Sequence, residues 1–323
     1  MARKFKRNRE LHDKSPVAIK LHRINSERKL QAKAQKTTRM SDTNNKQSTP
    51  SPASPFKRIR IDKYENHVAE VVLNCPQRLN SMDLLFFSEM EQAITQLAKD
   101  PEVYVIIVWS EGKAFTAGLD LKSAMSILMP TPSSSSLSSS SDNGSGSSGT
   151  SGSGGGDETE LSPAVQNLDT FKKIRAMQTS FNVISKCKKP VIAAVQGSCI
   201  GAGIDMICAC DVRLGTVDST YSVRETQLAI VADLGTLQRI QKVVGKGMAR
   251  EMAFTGGNYD ASAMCKYGLL NSVHDTHEQC LTAARQTAEN IARNSPLVVQ
   301  ATKYMLNYAE DHSTEDSLMH AAL

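Results

Sequence analysis

Two short apolar runs constrain this chain more than any other feature: VYVIIVW at 103–109 and VIAAV at 191–195. Neither alternates apolar with polar, so each reads as a strand covered on both faces, the habit of parallel sheets. HVAEVVLN at 67–74 reads as a further strand. Between it and the first run, Met82, Leu85, Phe86, Met90, Ala93, Ile94 and Leu97 fall at helical spacing. Asn80 and Ser81 are the candidate caps of that helix, with Asp83 in its first turn. Strand, helix, strand in this order predicts a right-handed βαβ unit. Beyond it, 164–187 reads as helix, a second helix starts near Ile204, and DVRLGT at 211–216 reads as a strand. SAMCKYGLLNSV (262–273) and CLTAARQTAENIARNSP (280–296) read as helix, turn, helix, and LVVQATKYMLNYA (297–309) as a last helix. The alternation predicts an α/β fold.

Charge separates the chain into parts. Residues 1–46 hold 14 Lys/Arg against 4 Asp/Glu, a net of +10, which leaves −5 of the overall +5 for the rest. The basic character belongs to the tail, so a nucleic-acid groove on the folded body is not indicated. Residues 1–55 have little to bury and are expected to be disordered. Their first part reads equally as an organelle presequence with a thin apolar stripe (Val17, Leu21, Ile24) and as a solvated charged tail; a nucleic-acid arm is a third option. Residues 131–156 are almost wholly Ser, Gly, Thr and Asp/Asn, the composition of a flexible loop. We read it as an insertion in one domain spanning 56–323, because residues on both sides serve the same site.

The seven cysteines are odd in number and contain no CxxC, and several lie in apolar runs, as buried free thiols in a reducing compartment do. Cys208-x-Cys210 has no second Cys or His pair at ligand spacing, so core packing is expected rather than a metal site. No apolar run reaches membrane-spanning length.

The chemistry concentrates in two glycine turns, KAFTAGLDL (113–121) and GSCIGAGID (197–205), each directly after a buried strand. Ligands bind at the carboxyl ends of such strands, and helix starts there leave backbone donors unpaired. Two such donors aimed at one point make an oxyanion hole. Three acids follow: Asp205 among Ile204, Met206 and Ile207, Glu225 at the end of a polar segment, and Asp233 between apolar neighbours. An acid in apolar surroundings is expensive to ionise, which marks it for acid–base work. Alone, Asp205 reads as a helix N-terminal acid; together with Glu225 and Asp233 it reads as catalytic. Asp211 is expected to be structural, capping or pairing with Arg213 or Arg239, and His67 and His274 are expected to be structural too.

CPQRLNSM, KAFTAGLDL, KPVIAAVQGSCIGAGIDM, ACDVR and ADLGTLQRI, in this order, resemble the crotonase, or enoyl-CoA hydratase/isomerase, superfamily over residues 56–323 apart from the Ser/Gly insertion. The resemblance implies a ββα spiral core with C-terminal helices and an acyl-CoA thioester substrate, with no separate cofactor. It implies that the N–H groups of Leu119 and Ala202 hold the thioester oxygen, that Ala117, Gly118, Leu119, Asp120 and Leu121 line the thioester and CoA entrance, and that Asp120 fixes its loop. Ala202 stands where many relatives have Gly, a tolerable change because only the backbone donates. Hydratases carry Glu at the positions of Asp205 and Glu225 and usually Gly at that of Asp233, so the acid at all three resembles the dienoyl-CoA isomerase branch. That implies a shift of two double bonds, with Asp233 as base, Glu225 as acid and Asp205 polarising or steering them. Enoyl-CoA hydration and a non-catalytic RNA- or partner-binding role are the alternatives. Arg78 and Lys122 read equally as contacts for CoA phosphates and as solvated side chains. The resemblance further implies a trimer or hexamer and a mitochondrial or peroxisomal location, the basic N-terminus favouring the former. Relatives continue past DHSTEDSLMHAAL with helices that help trimers form and close the acyl pocket, so the stop at Leu323 leads to the expectation of a shortened chain or weakened assembly.

Overall fold

The apolar runs become the middle of a six-stranded sheet in the order β1 (Ile59–Lys63), β2 (Val68–Leu73), β3 (Val105–Ser110), β4 (Val191–Val195), β6 (Val212–Thr216), β9 (Ser272–His274). Only the β1–β2 pair is antiparallel; the rest run parallel, with Val71 opposite Val108 and Ile107 opposite Ile192. Every residue of β2, β3 and β4 is buried. The computed structural model describes residues 56–128 and 163–322; the basic tail and the 131–156 segment read from the sequence lie outside the described residues.

The period-two geometry of a strand, hidden in an all-apolar run, sorts these residues to two sides. Val71, Ile106, Val108, Val191 and Ala193 face one core, while Val72, Ile107, Trp109, Ile192 and Ala194 face the other. Four helices pack on the first side: α1 (Leu84–Lys99), α3 (Pro163–Lys186), α4 (Ala202–Cys208) and α5 (Thr236–Thr255). The second is covered by α7 (His277–Ala292) through Cys280, Leu281, Ala284 and Ala288. A small sheet, β5 (Ser198–Ile200), β7 (Thr220–Ser222) and β8 (Tyr259–Asp260), sits above the end of β4. The remaining helices are α2 (Leu121–Leu128), α6 (Ala261–Lys266), α8 (Pro296–Ala309) and α9 (Thr314–Ala322).

Several sequence expectations are corrected in detail. The cap of α1 is Asp83, whose Oδ1 accepts the Phe86 N–H at 2.9 Å, and not Asn80 or Ser81. Residues 80–82 serve the loop instead: Met82 N–H bonds Gly118 O, and buried Asn80 donates to the carbonyls of Glu111 and Ala114. The region read as helix, turn, helix contains β9, three residues paired with β6. Asp211 is structural, but its partners are neither Arg213 nor Arg239. Its Oδ2 accepts Val191 N–H at 2.7 Å and Lys303 Nζ at 2.6 Å, while Arg213 donates to Leu269 O and Cys210 O. His67 stacks on Tyr104, and His274 bonds Ser272 Oγ. Burial pushes the Cys208 and Cys210 thiols up to about 12, and among the described residues no group of three or more His, Cys, Asp or Glu could hold a metal. Among those residues no helix is long and apolar enough to cross a membrane.

Candidate active site

The site lies where the loops after the neighbouring strands β3 and β4 meet. The first loop runs beside the second and is laced to it by Phe115 N–H to Gln196 O (2.8 Å), Thr116 N–H to Ser198 O (2.9 Å) and Ile200 N–H to Thr116 O (3.2 Å). Two glycines make this approach possible. Gly197 has φ +56, and a Cβ on it would stand 2.1 Å from Lys113 O; Gly118 has φ +89, and a Cβ there would stand 2.7 Å from Ile200 O. Both positive φ values suit only glycine comfortably. Thr116 locks the turn, its hydroxyl donating to Asn80 O and accepting Gly118 N–H.

Leu119 follows, bridged to Met82 by two bonds that use Gly118 O and Asp120 N–H and leave its own N–H out. On the facing loop, Ala202 opens α4, and the first N–H of a helix has no intrahelical partner. Among the described residues neither N–H donates to another group. A Cβ on Gly118 would lie 3.7 Å from Ala202 N, so the two donors sit on loops in near contact. Asp120 pairs with Arg78 Nη2, and its other oxygen accepts Lys122 N–H at the start of α2. Arg78 also donates to Asp83 at 3.2 Å, so its charge is engaged by two carboxylates. Ala117, Leu121 and Lys122 are exposed, and Gly118 is buried.

The three acids are held by three different elements. Asp205, in the first turn of α4, is buried, and its Oδ1 accepts Thr236 N–H at 2.5 Å, the first helical residue of α5. Burial lifts its carboxyl to about 7; hydrogen bonding from Thr236 and the Arg239 charge oppose that rise, and the nearby Glu225 adds to it. Glu225 starts a 3₁₀ turn (Glu225–Leu228) after β7. Its Oε1 would lie 3.2 Å from a Cβ on Gly201, the residue before Ala202. Its Oε2 is buried with no hydrogen-bond partner among the described residues. Burial raises its pKa, and the charge of Asp233 raises it further. Asp233, in the irregular stretch before α5, is exposed as a residue, yet desolvation raises its carboxyl as well. Its backbone carbonyl accepts Gln178 Nε2 of α3 at 2.6 Å.

Sequence reasoning missed Thr116, Gln178, Asn182 and the part played by Thr236 and Arg239. The helix α5 also went unread, although Leu237, Ile240, Val244, Met248 and Met252 follow Gly235 at helical spacing.

Residues 63–140 and 147–322 match the family Enoyl-CoA hydratase/isomerase. The chain belongs to the enoyl-CoA hydratase/isomerase family. The crotonase resemblance carried by the glycine-turn motifs is therefore borne out, and so is the α/β fold with C-terminal helices. Among relatives in this family, the mitochondrial Δ(3,5)-Δ(2,4)-dienoyl-CoA isomerase of Dictyostelium discoideum is 41% identical over 269 residues, 83% of this chain and 83% of that protein. The peroxisomal Δ(3,5)-Δ(2,4)-dienoyl-CoA isomerase of Arabidopsis thaliana is 36% identical over 258 residues, 80% of this chain and 84% of that protein. The solved enoyl-CoA hydratase of Bacillus anthracis superposes with a TM-score of 0.65 at 25% identity, covering 81% of this chain and 87% of that one.

Proposed function

We propose that the protein isomerises 3,5-dienoyl-CoA thioesters to 2,4-dienoyl-CoA, as a step in the breakdown of unsaturated fatty acids. The observation that carries this reading is the Glu225–Asp233 pair. The Glu225 carboxyl, with Oε2 buried and unpartnered among the described residues, lies beside the Gly201–Ala202 backbone, and a second carboxyl is near enough to raise its pKa. A buried, unpartnered acid oxygen weakens a fold, so its presence beside free backbone donors points to use.

In this mechanism Leu119 N–H and Ala202 N–H hold the thioester oxygen. The Asp233 carboxylate takes a proton from C2, and the electron pair moves into the carbonyl as a dienolate that the two donors stabilise. Protonated Glu225, the form that burial and the Asp233 charge favour, gives its proton to C6 as the pair returns along the chain. The double bonds move from 3,5 to 2,4, one proton leaves and one arrives. Exchange with solvent then restores the two acids. Asp205 steers them through α5 rather than by touching substrate.

The named mitochondrial and peroxisomal relatives support one of those two compartments, the mitochondrion being favoured by the basic residues 1–46. A homo-oligomer belongs to the same reading, supported by the apolar side chains Leu297, Leu306, Leu318 and Met319 that α8 and α9 expose; size-exclusion chromatography tests it. Residues 56–323 form one catalytic domain in this reading, supported by the packing of Phe181 of α3 on Phe87 of α1 across the 131–156 segment.

The function is tested by following the ultraviolet absorbance of the conjugated thioester with 3,5-dienoyl-CoA as substrate. Asp233→Asn and Glu225→Gln are each expected to lower kcat by about 10²–10⁴, the usual worth of a positioned acid or base. Wild-type turnover in both variants would sink the assignment.

A further inference from the structure

The stretch that carries Asp233 has little structure of its own. Between the 3₁₀ turn and α5 it passes through Ala229 at φ +57, exposed Val231 and exposed Asp233. A base must be held within a fraction of an ångström to work well. Its neighbours Ala232 and Leu234 are buried in the core, and three polar contacts from outside the stretch add to that anchorage. Asp205 of α4 bonds Thr236 N–H. Gln178 of α3 donates to the Asp233 carbonyl at 2.6 Å, while its own Oε1 accepts Arg175 Nη1 at 2.7 Å. Asn182, one further turn along α3, accepts Arg239 Nη2.

Arg239 turns that last bond into a grip on the same stretch. Its guanidinium lies against Gly235, two residues past Asp233, so closely that a Cβ there would stand 1.9 Å from Nη1. Gly235 has φ +125, a conformation only glycine adopts readily. Nη1 itself is buried with no partner among the described residues. A buried, unpartnered guanidinium nitrogen is an expensive way to gain stability, and its placement is accounted for by what the side chain holds.

We propose that α3 is a positioning element for the reaction: Gln178, and Arg239 gripped by Asn182, fix residues 233–236 so that the Asp233 carboxyl stays where it acts. This rests on the reading of Asp233 as the base. Gln178 and Arg239 touch no reacting atom in this scheme and act through Asp233. The charged groups set around the stretch are Glu225, Asp205 of α4, Arg239 of α5 and Arg175 of α3.

The test uses the full chain with two readouts. The first is amide hydrogen exchange of residues 229–236, which needs no substrate. The second is isomerase kinetics against pH. Gln178→Ala, at a half-buried surface position, is expected to raise exchange across that stretch. It should lower kcat about tenfold with KM within about twofold, since misplacement by an ångström can lose a hundredfold. The acid limb of kcat/KM should move to lower pH, because a loosened Asp233 regains solvent and its raised pKa falls back. Gln178→Lys keeps a donor and should restore most of the rate. Arg239→Lys should behave like Gln178→Ala. A purely structural role predicts a lower melting temperature with exchange at 229–236, the pH limb and the KM-to-kcat pattern unmoved; that result overturns the proposal. Unchanged exchange in both Gln178→Ala and Arg239→Lys overturns it too. If wild type fails to isomerise 3,5-dienoyl-CoA while exchange still rises in both variants, the functional reading falls and the grip on the stretch stands.

Discussion

Replacing Asp205 with asparagine separates its cap from its charge. The asparagine Oδ1 can still accept Thr236 N–H, so the tie between α4 and α5 survives. What disappears is a carboxyl whose pKa burial lifts from the ordinary aspartate 3.8 to about 7. The sign follows from proton binding. Between those two values the folded state holds the proton and the unfolded state does not, so stability is fully present below about 4 and declines as pH rises towards 7. The loss amounts to about 4 kcal/mol at most once the group ionises in both states. Asp205→Asn removes that loss. The variant should match wild type near pH 4 and exceed it increasingly up to pH 8, by no more than about 4 kcal/mol. Glu225 and Asp233, whose pKa values are also raised, titrate in the same direction in both proteins and cancel in the comparison. Urea midpoints measured in parallel at pH 5 and pH 8 read the effect. Asp205→Ala removes the same charge but loses the acceptor as well, so it should lie below Asp205→Asn at both pH values, by about 1 kcal/mol for the lost cap alone. A gap between Asp205→Asn and wild type that does not widen with pH would refute the electrostatic account.

Other substitutions probe the frame around the acids. Gly118→Ala forces a Cβ to 2.7 Å from Ile200 O at φ +89 and so shifts the Leu119 donor; kcat should fall by about 10²–10³, as when one oxyanion donor is lost, and the unfolding midpoint should fall too, because alanine at a positive φ is strained. Lys303→Met strips Asp211 of its 2.6 Å partner and should lower the free energy of unfolding by about 1–3 kcal/mol in urea titration, without changing KM. Arg285→Met strips the fully buried Glu70 carboxylate of its cation, leaving neutral donors such as Trp109 Nε1, and should lose about 3–5 kcal/mol by the same measurement.

The difference between what was legible and what was not lies in the range of the forces involved. β3 and β4 announce themselves because strands buried on both faces must be continuously apolar, and that requirement is written residue by residue. The turns at Gly118 and Gly197 are legible because a positive φ next to a facing carbonyl leaves no room for a side chain. β5, β7 and β9 have three residues each, too few for any period to emerge; β9 exists because the longer β6 offers it a partner, and β5 and β7 because the fold brings them side by side. The acids divide in the same way. Burial of Asp205 could be inferred from Ile204, Met206 and Ile207. Its partner could not, because Thr236 lies 31 positions away and contributes only a backbone N–H, which every residue but proline has. Asp211 and Lys303, 92 positions apart, are the same case: Arg213 was the nearer cation in sequence, yet it is committed to carbonyls of Leu269 and Cys210. Side-chain chemistry marked the acids as candidates, while the backbone donors that fix where each one points carry no residue-type signature. The positions of α3 that hold Asp233 and Arg239 are an ordinary glutamine and asparagine, and their part in the site follows only from the helix that brings them there.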